Sequence, residues 1–148
     1  MSLYQLHNKP ETLYGWDRHL QVPSIAYEEV LNTYESNEDR NPELEQVIAR
    51  DPYYAYVYAV GILRKRWPEG EPAIATSPEF AYQYARERNR TWKDMGKEEV
   101  EFVIAQHPMY AYYYARWVLE SRWPEAEPYI KQDPVWWEEY VTRFKNQF

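Results

Sequence analysis

The groups with which this chain could bind a metal or move protons are three histidines, His7, His19 and His107, and 24 aspartates and glutamates. A protein metal site needs several such ligands at i, i+3 or i+4 spacing on a helix, or in an equivalent cluster. Near His107 the only carboxylates are Glu99 and Glu101, which do not make such a set. No metal and no cofactor is expected. Among the acids, Glu69 and Glu71 return as Glu125 and Glu127, and each pair follows an arginine, Arg66 or Arg122. Acids duplicated together with their bases read as ion pairs at a turn, whereas acid–base catalysis needs a unique pair in contrasting environments. No glycine-rich phosphate loop is present, and no Ser, His and Asp set is suggested by spacing. The expectation is a protein that is not an enzyme.

The duplication extends well beyond those acids. With an offset of 56, residues 43–88 match residues 99–144 at 21 of 46 positions. Val47-Ile48-Ala49, Pro52, Tyr54-Ala55-Tyr56 and Arg66-Trp67-Pro68-Glu69 return as Val103-Ile104-Ala105, Pro108, Tyr110-Ala111-Tyr112 and Arg122-Trp123-Pro124-Glu125. Self-similarity at a fixed period marks repeat architectures. A shorter unit lies inside the long one. It begins at Pro23, Pro52, Pro78 and Pro108, with a degenerate copy at Pro134.

These prolines place the elements. Asp51, Ser77 and Asp133 precede Pro52, Pro78 and Pro134, which is the pattern of a helix N-cap followed by a proline in the first turn. After Pro52 the apolar residues Tyr54, Ala55, Tyr58, Ala59, Ile62 and Leu63 fall on one helical face. Ile48, Ile74, Ile104 and Ile130 each stand four residues before a proline, so a second, shorter helix with a buried isoleucine is expected in each unit. The predicted fold is all-α. It consists of tandem short-helix/long-helix hairpins forming a small right-handed α-solenoid or compact helical array, in one domain over 1–148. Residues 1–22 and 134–148 are expected to act as caps, because Trp136, Trp137 and Glu138 replace Phe80, Ala81 and Tyr82 in the last unit.

The two Arg-Trp-Pro-Glu segments, continued by Glu71-Pro72-Ala73-Ile74 and Glu127-Pro128-Tyr129-Ile130 and joined to Asp51-Pro52-x-x-Ala55-Tyr56-x-Tyr58-Ala59, resemble a signature of uncharacterised tandem-repeat proteins of phages, bacteria and marine environmental sequences. The resemblance covers residues 43–144 and implies an architecture without implying an activity. The chain is similar only in kind to tetratricopeptide arrays, whose spacing and Trp-Leu-Gly-Tyr pattern it lacks, so peptide binding is implied by analogy alone.

Composition narrows the partners. A net charge of −7 argues against general nucleic-acid binding, because phosphate recognition depends on clustered Lys and Arg. With no cysteine there is no disulfide framework or thiolate site. No run approaches the length of a membrane span, and Met1-Ser2-Leu3-Tyr4 lacks the marks of a signal peptide. A cytoplasmic protein is expected.

Residues that recur in every unit read as scaffold, so function is sought where the repeat is broken. Tyr113 and Trp117 project from the long helix after Pro108 on the side opposite Ala111 and Ala115, flanked by Met109. Their counterparts are Val57 and Gly61. An exposed Tyr–Trp pair marks a protein contact or a self-association face. Packing of both rings on a neighbouring unit is the structural alternative. A basic stretch carrying Arg86, Arg88 and Arg90, next to Trp92, is a second candidate for an acidic partner, against the simpler reading of a solvated helix end. Tyr27, Tyr56, Tyr82 and Tyr112 could form an aromatic ladder for a peptide or carbohydrate, or pack between units. The expected function is a protein-interaction module with a protein partner, a homo-oligomer being one form of it. The alternative is a ligand-binding accessory protein with an aromatic groove.

Overall fold

A computed structural model describes residues 21–148 of the chain. His7, His19 and most of the expected N-terminal cap lie outside these residues. All regular structure among the described residues is helical. Two compact units divide the chain, the first ending at Ala73 and the second running from Ile74 to Phe148.

In the first unit, α1 is Pro23–Thr33, α2 is Pro42–Ile48 and α3 is Pro52–Val57, with α4 (Glu71–Ile74) at the boundary. In the second, α5 is Pro78–Arg88, α6 is Glu99–Ala105, α7 is Pro108–Tyr114, α8 is Glu127–Ile130 and α9 is Pro134–Phe144. Every helix that was expected to begin at a repeat proline does so. Asp51 Oδ1 accepts from the backbone N–H groups of Tyr53 and Tyr54, and Asp133 Oδ1 from those of Val135 and Trp136. Ser77 Oγ accepts from Phe80 N–H. Each side chain thus satisfies amides that the first helical turn leaves without a partner. His107 holds the same position before α7, but its side chain makes no cap hydrogen bond.

The repeat positions supply the core. Ile48, Ile74, Ile104 and Ile130 are fully buried, as are Ala55, Ala59, Ala81, Ala85, Ala111 and Ala115. Small residues four apart on one face let α5 and α7 pack closely against their neighbours within the second unit, where α7 also meets α6, α8 and α9. The short helices are of two kinds: α2 and α6 run seven residues, while α4 and α8 make a single turn of four. Each one-turn helix has a proline at its second position, where the missing N–H costs nothing.

The long helices depart from simple α geometry. Beyond Val57, α3 widens into a π-helical segment, Tyr58–Leu63, and beyond Tyr114, α7 does the same over Ala115–Leu119. Both end on a residue in the left-handed region, Arg64 at φ 57° and Glu120 at φ 56°. The next amide in each case, Lys65 or Ser121, reaches back to the carbonyl of Ala59 or Ala115. By contrast, α5 stays α-helical to Asn89, which takes the left-handed conformation at φ 52°. Asparagine tolerates that region; arginine and glutamate adopt it at a cost. No described helix is long and apolar enough to cross a membrane.

Candidate functional site

The polar centre of each unit is built from a glutamate on a short helix and a tyrosine on the following long helix. Glu45 with Tyr58, Glu101 with Tyr114 and Glu127 with Tyr140 are each thirteen residues apart, and in every pair the phenol donates to the carboxylate, at 3.1, 2.9 and 2.9 Å. In the second unit the same phenols also accept a backbone amide: Trp92 N–H reaches Tyr114 Oη at 3.0 Å, and Trp123 N–H reaches Tyr140 Oη at 2.6 Å. One hydroxyl therefore fixes a carboxylate and the start of a loop together, in a buried setting where an unmade bond would be costly.

Arginines complete these centres. Arg40 forks onto Glu45, with Nη2 to Oε1 at 2.7 Å. Arg66 donates from Nε and Nη2 to the two oxygens of Glu71 at 3.0 and 2.8 Å. Arg122 does the same to Glu127 at 2.8 and 3.0 Å. The ion pairs expected from the recurring acids are thus present, although they use Glu71 and Glu127 and leave Glu69 and Glu125 exposed. Glu71 has no accessible surface at all. Hydrogen bonds from Arg122, joined by one from Tyr140, hold the Glu127 carboxyl below the usual carboxylate range against the effect of burial. Burial, reinforced by the nearby Glu127, pushes the Tyr140 phenol up to about 12. Burial raises Tyr58 and Tyr114 as well. These bonds tie the carboxylates and phenols to one another and to the loops that precede the next helix.

The residues that break the repeat are distributed differently. Trp117 is 44% exposed, and two guanidiniums lie over its indole, Arg86 at 5.0 Å and Arg116 at 4.4 Å. Those arginines are held in place by phenols: Arg86 Nη1 donates to Tyr82 Oη at 3.2 Å, and Arg116 Nη1 to Tyr112 Oη at 3.0 Å. Tyr113 does not share the exposure of Trp117. It is half-buried among Tyr82, Tyr110, Tyr112 and Trp136, with centroids 5.5 to 6.4 Å away. The widening of the helix into its π segment just after Tyr114 changes the angular step that a uniform 100° projection assumes. Met109 is half-buried, Arg86 and Arg90 are exposed, and Arg88 is half-buried.

Trp92 requires a correction. It is fully buried, its indole N–H donates to the Ala81 carbonyl at 2.8 Å, and its ring stacks on Tyr84 at 5.4 Å. A side chain so enclosed offers no surface to a partner. Tyr82 and Tyr112 are also buried, with only their hydroxyls engaged by arginines, so in the second unit these two form no open aromatic groove. Among the described residues no group of three or more His, Asp and Glu side chains could hold a metal ion.

Sequence reasoning did not identify Arg116, which serves Trp117 as much as Arg86 does. It also passed over the pairing of Glu45, Glu101 and Glu127 with tyrosines. The constant thirteen-residue interval was the available signal. No protein-family model, curated protein or solved structure matches the chain.

Proposed function

We propose that this chain is a non-catalytic helical-repeat module that binds a protein partner through the surface around Trp117. The observation that carries the reading is the contrast between equivalent positions. Trp117 stands where the first unit has Gly61, Arg116 where it has Val60, and Tyr113 where it has Val57. The first unit forms the same π-helical turn without any of them, and open space surrounds the position a Gly61 Cβ would take. The large exposed ring and its two guanidiniums are therefore not demanded by the fold. Trp, Tyr and Arg are the residues most enriched at the energetic centres of protein interfaces. Guanidiniums already oriented by phenols lose little freedom when a partner docks.

The test replaces Trp117 by the residue its counterpart carries. Wild type and Trp117→Gly are immobilised side by side and exposed to extract of the source cells, and helix content is checked by circular dichroism. A partner retained by the wild type and lost by a folded Trp117→Gly supports the reading. Identical capture by both proteins refutes it. Light scattering on the two proteins, with Tyr113→Ser/Trp117→Ser beside them, reads the self-associating form in the same way.

A further inference from the structure

Equivalent residues line one cleft in each unit, and the second cleft lacks the arginine that the first one holds. In the first unit Arg40, Glu45, Gln46, Ala49, Trp67 and Glu69 border a cleft of about 500 Å³. In the second, Glu101, Phe102, Ala105, Trp123 and Glu125 take the matching positions around about 790 Å³. The position matching Arg40 is Gly96.

Glu45, Glu71 and Glu127 each receive a guanidinium from the arginine five residues earlier. Glu101 receives none. Among the described residues its Oε1 accepts from the Tyr114 hydroxyl at 2.9 Å and from the Lys93 backbone N–H at 3.3 Å, with no guanidinium on either oxygen. The cations that border the cleft are engaged elsewhere: Lys93 Nζ faces Glu98 at 3.6 Å, and Arg122 is bonded to Glu127 and to the Gln147 carbonyl. Asp94, Glu98, Glu99 and Glu125 add negative charge to the lining. Phe102, which replaces Gln46, is 62% exposed at the rim.

We infer that the second-unit cleft binds the guanidinium of an arginine, free or carried on a peptide, in the place on Glu101 that Arg40 fills on Glu45. The chain itself shows three times that a glutamate at this register takes a forked guanidinium, and on Glu45 and Glu127 a phenol bonds the same carboxylate. A planar fork matches the carboxylate in a way a lysine ammonium does not. Phe102, exposed at the rim, offers a face on which a guanidinium stacks, while Trp123 packs on Tyr114 beneath. This site is separate from the Trp117 surface and goes beyond the function proposed for it.

The experiment titrates the full chain with N-acetyl-arginine amide, with an acetylated Gly-Arg-Gly amide, and with the lysine counterpart of each, followed by amide NMR shifts. Saturable shifts confined to the segment around Glu101, Phe102 and Tyr114 are expected for the arginine compounds, with lysine weaker by about tenfold. Glu101→Gln should weaken arginine binding at least about tenfold, the loss of one charge-assisted contact. Phe102→Gln, which installs the residue of the first unit, should weaken it several-fold in a folded protein, and Trp117→Gly should leave it unchanged. Equal binding of both arginine compounds identifies a free guanidinium ligand; binding of the peptide alone identifies an arginine presented by a protein. Absence of saturable shifts near Glu101, equal affinity for lysine, or unchanged affinity in Glu101→Gln overturns the assignment.

Discussion

Replacing Arg66 by methionine isolates the energetic logic of the buried carboxylates. Glu71 has no solvent-accessible side-chain surface, and Arg66 supplies it with two charge-assisted hydrogen bonds, at 3.0 and 2.8 Å. Arg66→Met keeps much of the apolar stem and removes the charge, leaving a desolvated anion. Breaking a buried pair from one side costs about 3–5 kcal/mol. With a urea m-value of roughly 2 kcal/mol/M, that is a fall of roughly 2 M in the unfolding midpoint. Tryptophan fluorescence in urea reads it directly. Arg66→Met/Glu71→Gln should regain most of the loss, since no charge is then buried. Arg40→Met offers a graded control: the Glu45 side chain keeps 12% of its surface, so a smaller cost of about 1–2 kcal/mol is expected. A loss below about 1 kcal/mol for Arg66→Met, or a double variant no better than the single one, would falsify the account.

Other substitutions probe the remaining devices. Glu120→Gly and Arg64→Gly should each raise stability by about 0.5–1 kcal/mol in thermal melts, because glycine relieves the left-handed backbone; Asn89→Gly should be near neutral. A Cβ on Gly70 would overlap the Trp67 ring, so Gly70→Ala should cost about 1–3 kcal/mol although the matching residue, Ala126, is an alanine. Tyr140→Phe strands the buried Trp123 amide and removes a donor to Glu127, at a cost of about 1–3 kcal/mol in denaturant titrations. The Tyr140 phenol, raised to about 12, adds stability that is complete below its ordinary value near 10 and lost as pH rises through about 12. Alkaline unfolding should therefore be shallower in Tyr140→Phe. Glu127 has the opposite sign. Its carboxyl is held low, so its contribution is present above the ordinary glutamate range and lost as acid carries the pH through its folded value; Arg122→Met should flatten that acid limb.

The helices were legible because their signals are local. Asp51, Ser77 and Asp133 before prolines mark helix starts by a mechanism that needs no tertiary partner, and the four isoleucines declare the core by position. The π turns were not legible. Nothing in the residue types of Tyr58–Leu63 distinguishes it from an ordinary apolar helix end. Trp92 was misread because charge in its neighbours, Arg86 to Lys97, suggested a surface, while burial of the indole depends on a carbonyl eleven residues earlier. Trp117 was legible as a departure from the repeat, but its two arginines come from different turns and different helices. Gly96 carries no signal of its own in the sequence. Its meaning as a missing arginine emerged only once Glu45 and Glu101 were seen in equivalent clefts.

The phenol bonds carry a consequence for how the chain acquires its structure. They join residues only 13, 17 or 22 positions apart. Closing loops of that length costs little entropy, and structures dominated by such near neighbours fold quickly. During synthesis each carboxylate leaves the ribosome before the phenol that will bind it, and the pair can close while the next segment is still being made. Maturation can therefore proceed segment by segment from the N-terminus.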